Sequence, residues 1–373
     1  MASQLRRTRI VCISDTHNCT VKLPDGDVLI HAGDLTNQGS YSELSRAVKW
    51  LENTKFEAKI VIAGNHDITL DETFYTDHGL EFHNQNLQSH ADCLSLFTSS
   101  PSITYLDHSS ATIRLSSPSG PHTQFNVFGS PQSPRCGHWA FSYDYPPPSA
   151  PDSDLPDLWD AIPLSSDIVV THTPPRNHCD ETADHRSAGC EALRRALWRV
   201  RPHLAVCGHV HSGRGAKRVA WDLSSPNIPF LETDTTTWED PAQGSSSNSK
   251  KMSLVDLTGR KAFAAPALDN DGGSHPHCSS SAGPSPARGG SPGSISSSSD
   301  TQQVCTRTTI GPGGDASSRQ CDVDALEGRM GRRETCIVNA AIVQTGYPHI
   351  GGKKLTKPIV VDLDLPVWEE EKE

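Results

Sequence analysis

Apolar and polar positions along the chain fall into a repeated unit, a short apolar run followed by a polar stretch of Gly, Asp, Asn and His. Ile10-Val11-Cys12-Ile13 runs into Ser14-Asp15-Thr16-His17, and Val28-Leu29-Ile30-His31-Ala32 into Gly33-Asp34. Lys59-Ile60-Val61-Ile62-Ala63 runs into Gly64-Asn65-His66-Asp67. Later, Asp167-Ile168-Val169-Val170-Thr171 ends in His172, and His203-Leu204-Ala205-Val206-Cys207 in Gly208-His209-Val210-His211. Bounded apolar runs of this length read as buried strands. The polar residues then stand where α/β sheets collect ligands, at the carboxyl ends of the strands.

Helical spacing interrupts the strands. Leu44, Val48 and Leu51, with Ala47 and Trp50 alongside, predict a helix from Ser42 to Leu51 with Ser42 as its N-cap. Cys190, Leu193, Leu197 and Val200 predict a second, with Arg194, Arg195 and Arg199 on a solvated face. Between residues 70 and 125 the pattern is weaker. Ile103–Leu106 and Ala111–Leu115 read as two strands of a hairpin, Phe125–Gly129 as another strand, and the proline-rich 145–156 as a surface loop. Strand, helix and strand in alternation make the class α/β.

Composition changes the picture past Trp238. Serine, glycine and proline dominate from Gly244 and again from Gly272 to Ser299, and such tracts bury too little apolar surface to offset ordering entropy. The expected organisation is a core at 1–238, a disordered insertion at 239–332, and C-terminal strands at 333–368 that complete the core. Those strands are Thr335–Asn339 and Pro358–Leu363. The 35% hydrophobic content of the 373 residues, low for a wholly packed chain, agrees.

A net charge of −11 and a pI near 5.9 speak against a nucleic-acid surface or an anionic membrane as partner. An acidic protein still binds phosphate where metal ions supply positive charge. The 11 cysteines are odd in number and contain no Cys-x-x-Cys pair, which argues against a zinc knuckle and a secreted disulfide framework. No run reaches the length of a membrane span, and Met1–Arg9 lacks the apolar segment of a signal peptide and leads straight into the first strand. A cytoplasmic protein without a membrane partner is expected.

Collected at the strand ends are Asp15, His17, Asp34, Asn65, His66, His172, His209 and His211. Carboxylate, amide and imidazole together suit borderline divalent ions rather than calcium. The set exceeds the needs of one ion, while two ions about 3.5–4 Å apart would use nearly all of it, clamping a phosphate and activating a water.

The ordered motifs Asp15-x-His17, Gly33-Asp34, Gly64-Asn65-His66-Asp67, His172 and Gly208-His209-x-His211 resemble the signature of the calcineurin-like metallophosphoesterases over the first two-thirds of the chain. The resemblance implies a four-layer α/β/β/α sandwich. It implies one metal held by Asp15, His17 and His211, a second by Asn65, His172 and His209, and Asp34 bridging the two. His66 resembles the residue that contacts the scissile phosphate and protonates the leaving group, with Asp67 orienting it. The implied cofactors are two divalent metal ions, Mn foremost, with Fe, Zn, Ni or Mg as alternatives. Phe128-Gly129-Ser130-Pro131, Trp139-Ala140-Phe141 and Thr171-His172-Thr173-Pro174-Pro175 look like the metallophosphoesterase-domain-containing subgroup, as do Gly189-Cys190 with Val200-Arg201-Pro202 and the terminal strands. Members of that subgroup are similar to small phosphodiesterases that bind nucleotides.

The expected activity is metal-dependent hydrolysis of small or nucleotide-like phosphodiesters by a hydroxide bridging the two metals. Phosphoprotein phosphatases of the superfamily carry an arginine after Gly-Asp and a glutamate after Gly-Asn-His. Here Leu35-Thr36-Asn37 and Asp67 stand in those places, against a phosphoprotein substrate. The rival reading is a catalytically weak nucleotide-binding or scaffold protein; a nuclease fits the acidic charge poorly. Other residues have plainer roles. His31 reads as a core histidine, Cys207 as a small buried strand residue, and Asp180 and His185 as solvated loop positions. His178 divides evenly between a substrate-side and a loop residue, and Asn339 between reaching the site and capping a turn.

Overall fold

A computed structural model describes residues 4–147, 151, 154–222, 230–242, 250–260, 266–270, 332–345 and 351–368. In order the elements are β1 (Leu5–Ile13), β2 (Val28–Ala32), α1 (Tyr41–Glu52), β3 (Ala58–Ile62), α2 (Glu72–Phe82), α3 (His90–Thr98) and β4 (Ile103–Tyr105). There follow β5 (Ser109–Arg114), β6 (Gln124–Ser130), β7 (Ser133–Pro134), β8 (Ser142–Tyr143), β9 (Ile168–Thr171), α4 (Glu191–Val200) and β10 (Leu204–Cys207). The last are β11 (Gly215–Trp221), β12 (Glu232–Thr237), β13 (Ser253–Asp256), β14 (Glu334–Asn339) and β15 (Ile359–Pro366).

Two large sheets face each other, ordered β13-β15-β1-β2-β3-β4 and β12-β11-β14-β10-β9-β6-β5. The parity of the strands explains their unbroken apolar runs. Ile10, Cys12, Ile30 and Ile60 meet Val127, Ile168, Val206 and Val338 between the sheets. Their neighbours Val11, Ile13, Leu29 and Val61 point outward and pack under Leu44, Val48 and Leu51 of α1 and Phe97 of α3. On the far side Val169, Ala205 and Ile337 pack under Leu193, Leu197 and Val200 of α4. A strand covered on both faces needs no polar alternation. The result is the expected α/β/β/α sandwich.

Several local readings change. The N-cap of α1 is Ser40 and not Ser42: its side chain accepts from Glu43 N, and Glu43 returns to Ser40 N at 2.9 Å, a reciprocal capping box. The stretch after residue 70 holds α2 and α3, capped by Asp71 and Ser89. Each buries only two residues, Tyr75 and Gly79 in one and Cys93 and Phe97 in the other, too few to write a periodic pattern. Ile103–Tyr105 and Ser109–Arg114 are not a hairpin. β4 joins β3 in parallel in one sheet, and β5 joins β6 antiparallel in the other. The arginine face of α4 is not simply solvated. Arg199 is buried and donates to Trp159 O and Ile162 O, and Arg194 pairs with Glu191 and Glu232.

The two C-terminal strands each join a different sheet: β14 lies between β10 and β11, β15 beside β1. Ordered chain also extends past Trp238, because Ser253–Asp256 pairs with β15 at the sheet edge and Leu257 and Leu268 enter the core. The remainder of the expected insertion, 243–249, 261–265 and 271–331, lies outside the described residues.

What positions the site is the meeting of the sheets at one end. Ser14, just past β1, bridges to Ala341, just past β14, through Ser14 N to Ala340 O at 3.0 Å and Ile342 N to Ser14 O at 2.9 Å. The ends of β1, β2, β3, β9 and β10 thereby open toward a common point.

Candidate metal centre

The polar strand ends turn sharply. Asp15, His17, Asp34 and His209 have φ of 52°, 43°, 55° and 65°, a left-handed region that costs a non-glycine residue of order 1–3 kcal/mol. Hydrogen bonds offset that strain. His209 N donates to both Asp15 carboxylate oxygens at 3.0 Å, and His66 N donates to Asp34 Oδ1 at 2.8 Å. Close approach needs glycine as well. A Cβ on Gly208 would lie 2.7 Å from Ser14 Cβ and nearer still to the Asp15 carboxylate.

The imidazoles are oriented from behind. His17 Nδ1 faces Thr36 O at 3.0 Å, His172 Nδ1 faces Ala32 O at 2.9 Å, and His211 Nδ1 faces Thr345 O at 2.9 Å. A carbonyl can only accept, so each Nδ1 carries the hydrogen and each Nε2 turns inward as an acceptor. Inside, His17 Nε2 and His211 Nε2 lie 3.3 Å apart, and His211 Nε2 is 3.3 Å from Asp15 Oδ1. Asp34 Oδ2 stands between the two groups, 3.7 Å from His17 Nε2 and 3.4 Å from His172 Nε2. Asn65 Oδ1 is 3.0 Å from His172 Nε2 and 2.8 Å from His209 Nδ1. Acceptors thus face acceptors across the cluster, and only protons or cations between them relieve the repulsion. The donor set of imidazole, carboxylate and amide oxygen fits borderline divalent metals.

Titration follows the same electrostatics. Burial pulls His17 down to about 3 and His209 to about 4, leaving both neutral and ready to ligate. At His172 burial is outweighed by Asp34 and Asp15, which hold the imidazole up at about 9. His211 is raised, its burial overcome by Asp15. Burial would raise Asp15, but His211 and His172 bring it to about 2, and Asp34 is likewise held well below the usual carboxylate range by His172 and His66. The two carboxylates thus favour positive charge at His172 and His211, whether a proton or a cation supplies it.

All seven residues expected as ligands, Asp15, His17, Asp34, Asn65, His172, His209 and His211, meet here, and all but the half-buried His209 and His211 are buried. His66 borders them, its ring centroid 4.9 Å from that of His17 and 3.9 Å from that of Trp139. The expectation for Asp67 is corrected. Its carboxylate does not orient His66, whose Nδ1 is held by Asn37 O at 2.9 Å. It accepts instead from Leu35 N, Thr36 N, Thr36 Oγ1 and Gly64 N, tying the loop of Asp34 to the loop of Asn65. Burial, then Asp34, pushes this carboxyl up to about 7 against those four donors.

Elsewhere, Asp180 is buried rather than solvated and organises its loop by accepting from Asn177 N and Gly189 N. His178 is buried with Nε2 3.0 Å from Glu232, a loop role. His185 is exposed, and His31 and Cys207 are buried in strands, as read. Asn339 is the residue most undervalued by the sequence. Its amide donates to Cys179 O, Gly208 O and Val210 O, clamping the loop that carries His209 and His211. Lys353 carried no signal at all, yet its ammonium donates to His17 O and Asn37 Oδ1.

A family model described as calcineurin-like phosphoesterase matches residues 8–213, a span that contains every residue of the cluster. The chain belongs to the calcineurin-like phosphoesterase family. Within that family it is 36% identical over 219 residues to human metallophosphoesterase domain-containing protein 1, covering 56% of this chain and 62% of that protein. It is 32% identical over 231 residues to the Caenorhabditis elegans UPF0046 protein K07C11.7, covering 60% of this chain and 68% of that one. A probable rhamnogalacturonate lyase C of Emericella nidulans is 42% identical over 232 residues, which are 62% of this chain but 20% of that protein. The phosphoesterase-family chain thus spans less than two-thirds of the length of the first and last of these three relatives, and the lyase name belongs to a much longer protein. The metallophosphoesterase-domain-containing relative bears out the subgroup that Phe128–Pro131 and Trp139–Phe141 resembled. Among the described residues no helix is long and apolar enough to cross a membrane.

Proposed function

We propose that this protein is a metal-dependent phosphoesterase that cleaves small or nucleotide-like phosphodiesters. The observation that carries the reading is the set of inward-facing acceptor atoms on buried residues, with three imidazoles fixed through their outer nitrogens. Asp15, His17 and His211 would hold one divalent ion, Asn65, His172 and His209 a second, and Asp34 would reach both. Ions bound there supply positive charge for a phosphate and acidify a water.

The chain's own residues do the rest. Asp67 and Asn339 hold the ligand-bearing loops together from behind. His66, held by Asn37 O and packed on Trp139, keeps Nε2 able to carry a proton for the leaving oxygen. A groove of about 1510 Å³ lies apart from the cluster residues, lined by Lys217, Lys250, Lys251 and Lys357 together with Asp180, Glu181 and Asp240.

The test is hydrolysis of bis-p-nitrophenyl phosphate and p-nitrophenyl phosphate with Mn²⁺, for wild type, His66→Ala and Asp34→Asn. Diester cleavage, lost on Asp34→Asn and lowered about 10²–10⁴-fold on His66→Ala, is expected. Metal binding without turnover of either ester would favour the nucleotide-binding reading. Turnover of the monoester alone would refute the diester assignment.

A further inference from the structure

A second group of metal-binding side-chain types lies apart from the cluster above. His78 and Glu81 stand one turn apart on α2, and His138 reaches the same carboxylate from the loop joining β7 to β8. His78 Nδ1 is 3.1 Å from Glu81 Oε1, and His138 Nε2 is 3.3 Å from Glu81 Oε2. The two imidazoles meet edge to face with centroids 4.2 Å apart, and one ligand atom from each of the three residues lies within 4.8 Å of the others. Neighbouring ligand atoms on a tetrahedral ion with bonds of about 2.0 Å stand about 3.3 Å apart, close to the two imidazole–carboxylate distances, which end on different oxygens of Glu81. Two imidazoles and one carboxylate, with a fourth position left to solvent, is a zinc donor set.

We propose that His78, Glu81 and His138 bind one divalent cation of the Zn²⁺ type, separately from the phosphoesterase cluster. The rings of Phe74 and Phe82 flank His138, with centroids 5.3 Å and 6.2 Å away, and limit its rotamers before a cation arrives. The side chains of His78, Glu81 and His138 are 35%, 60% and 49% exposed, so the site exchanges with solvent without unfolding the core. The cation cross-links α2 to the loop whose next residue, Trp139, packs on His66. The loop is already tied to the start of α2, where Phe141 N donates to Asp71 at 2.7 Å. A cation near the helix's other end fastens it at two points.

The test is equilibrium dialysis of the metal-stripped full chain against buffered Zn²⁺, with bound metal counted by atomic emission. His78→Ala/His138→Ala and, separately, Glu81→Gln should each bind one equivalent fewer than wild type. Asp34→Asn should keep that equivalent. With Co²⁺ in place of zinc, the visible absorption of the variants should lose one component present in wild type. Equal counts in wild type and both variants would overturn the proposal. So would loss of the extra equivalent in Asp34→Asn with its retention in the double variant. Melting in chelator should match wild type for both variants, which separates lost binding from lost fold.

Discussion

Replacing Asn339 by Asp changes almost no volume and reverses the polarity of one buried group. The Asn339 amide donates at 2.9 Å to Cys179 O, 2.9 Å to Val210 O and 3.3 Å to Gly208 O, while its oxygen accepts from Ala341 N at 3.1 Å. Asp keeps the last bond and turns an oxygen on three carbonyls. Two good hydrogen bonds are lost at about 1 kcal/mol each, and the carbonyls are left buried against an acceptor at about 1–3 kcal/mol more. A total of about 4 kcal/mol is a large part of a stability of about 5–15 kcal/mol. At about 2–4 °C per kcal/mol, the melting temperature should fall by about 10 °C at pH 8. The sign of the pH effect is set by the new carboxyl. Burial against carbonyls raises its folded pKa above its unfolded one, so between the two the folded state binds more protons. The variant is therefore penalised most at high pH and recovers as pH falls, because a protonated carboxyl can donate again. Calorimetric melts at pH 8 and pH 5, beside metal titrations, read both effects. The loop carries His209 and His211, so metal affinity should drop about 10–100-fold. A variant melting within about 2 °C of wild type at pH 8 with unchanged metal affinity would refute the clamp.

Gly208→Ala should weaken metal binding at least about 10-fold, because the new methyl displaces the Asp15 carboxylate, whereas Cys207→Ala should spare it; calorimetric titration compares the two. Metal uptake at pH 7 should release one to two protons, since His172 sits at about 9 and His211 is raised; titration in buffers of different ionisation enthalpy counts them, and no release would contradict the charge assignment. Acid should destabilise the fold from about pH 6.5 downward, where unfolded histidine begins to charge. His31, pulled to about 4 by burial, and His203, pulled well below its usual value by burial, stay neutral in the native state, so the unfolded state binds more protons there and stability falls as pH falls. Each contributes a slope of up to about 1.4 kcal/mol per pH unit, and His203→Gln should flatten the profile of melting temperature between pH 6.5 and 5.

The amino-acid sequence alone determined the central strands β1, β2, β3, β9 and β10 and the residues that meet at their ends. Both are local facts. A strand buried on two faces, such as Val28–Ala32, must be apolar throughout, and the residues that turn out of it, Gly33 and Asp34, follow without a gap. Family membership was legible for the same reason, since its motifs are those strand ends in order. Other matters were decided by contacts between residues far apart in the chain. β4 and β5 are three residues apart yet belong to different sheets, because the partners they pair with, β3 and β6, lie on opposite sides of the core. Asp67 adjoins His66 in sequence but spends its carboxylate on Leu35, Thr36 and Gly64. Asn339 reaches Gly208 and Val210 across more than a hundred residues, and His138 meets Glu81 only because the β7–β8 loop folds over α2. Propensity and hydrophobic pattern act over a few residues, whereas a hydrogen-bond partner or a third ligand is chosen by the packed structure as a whole.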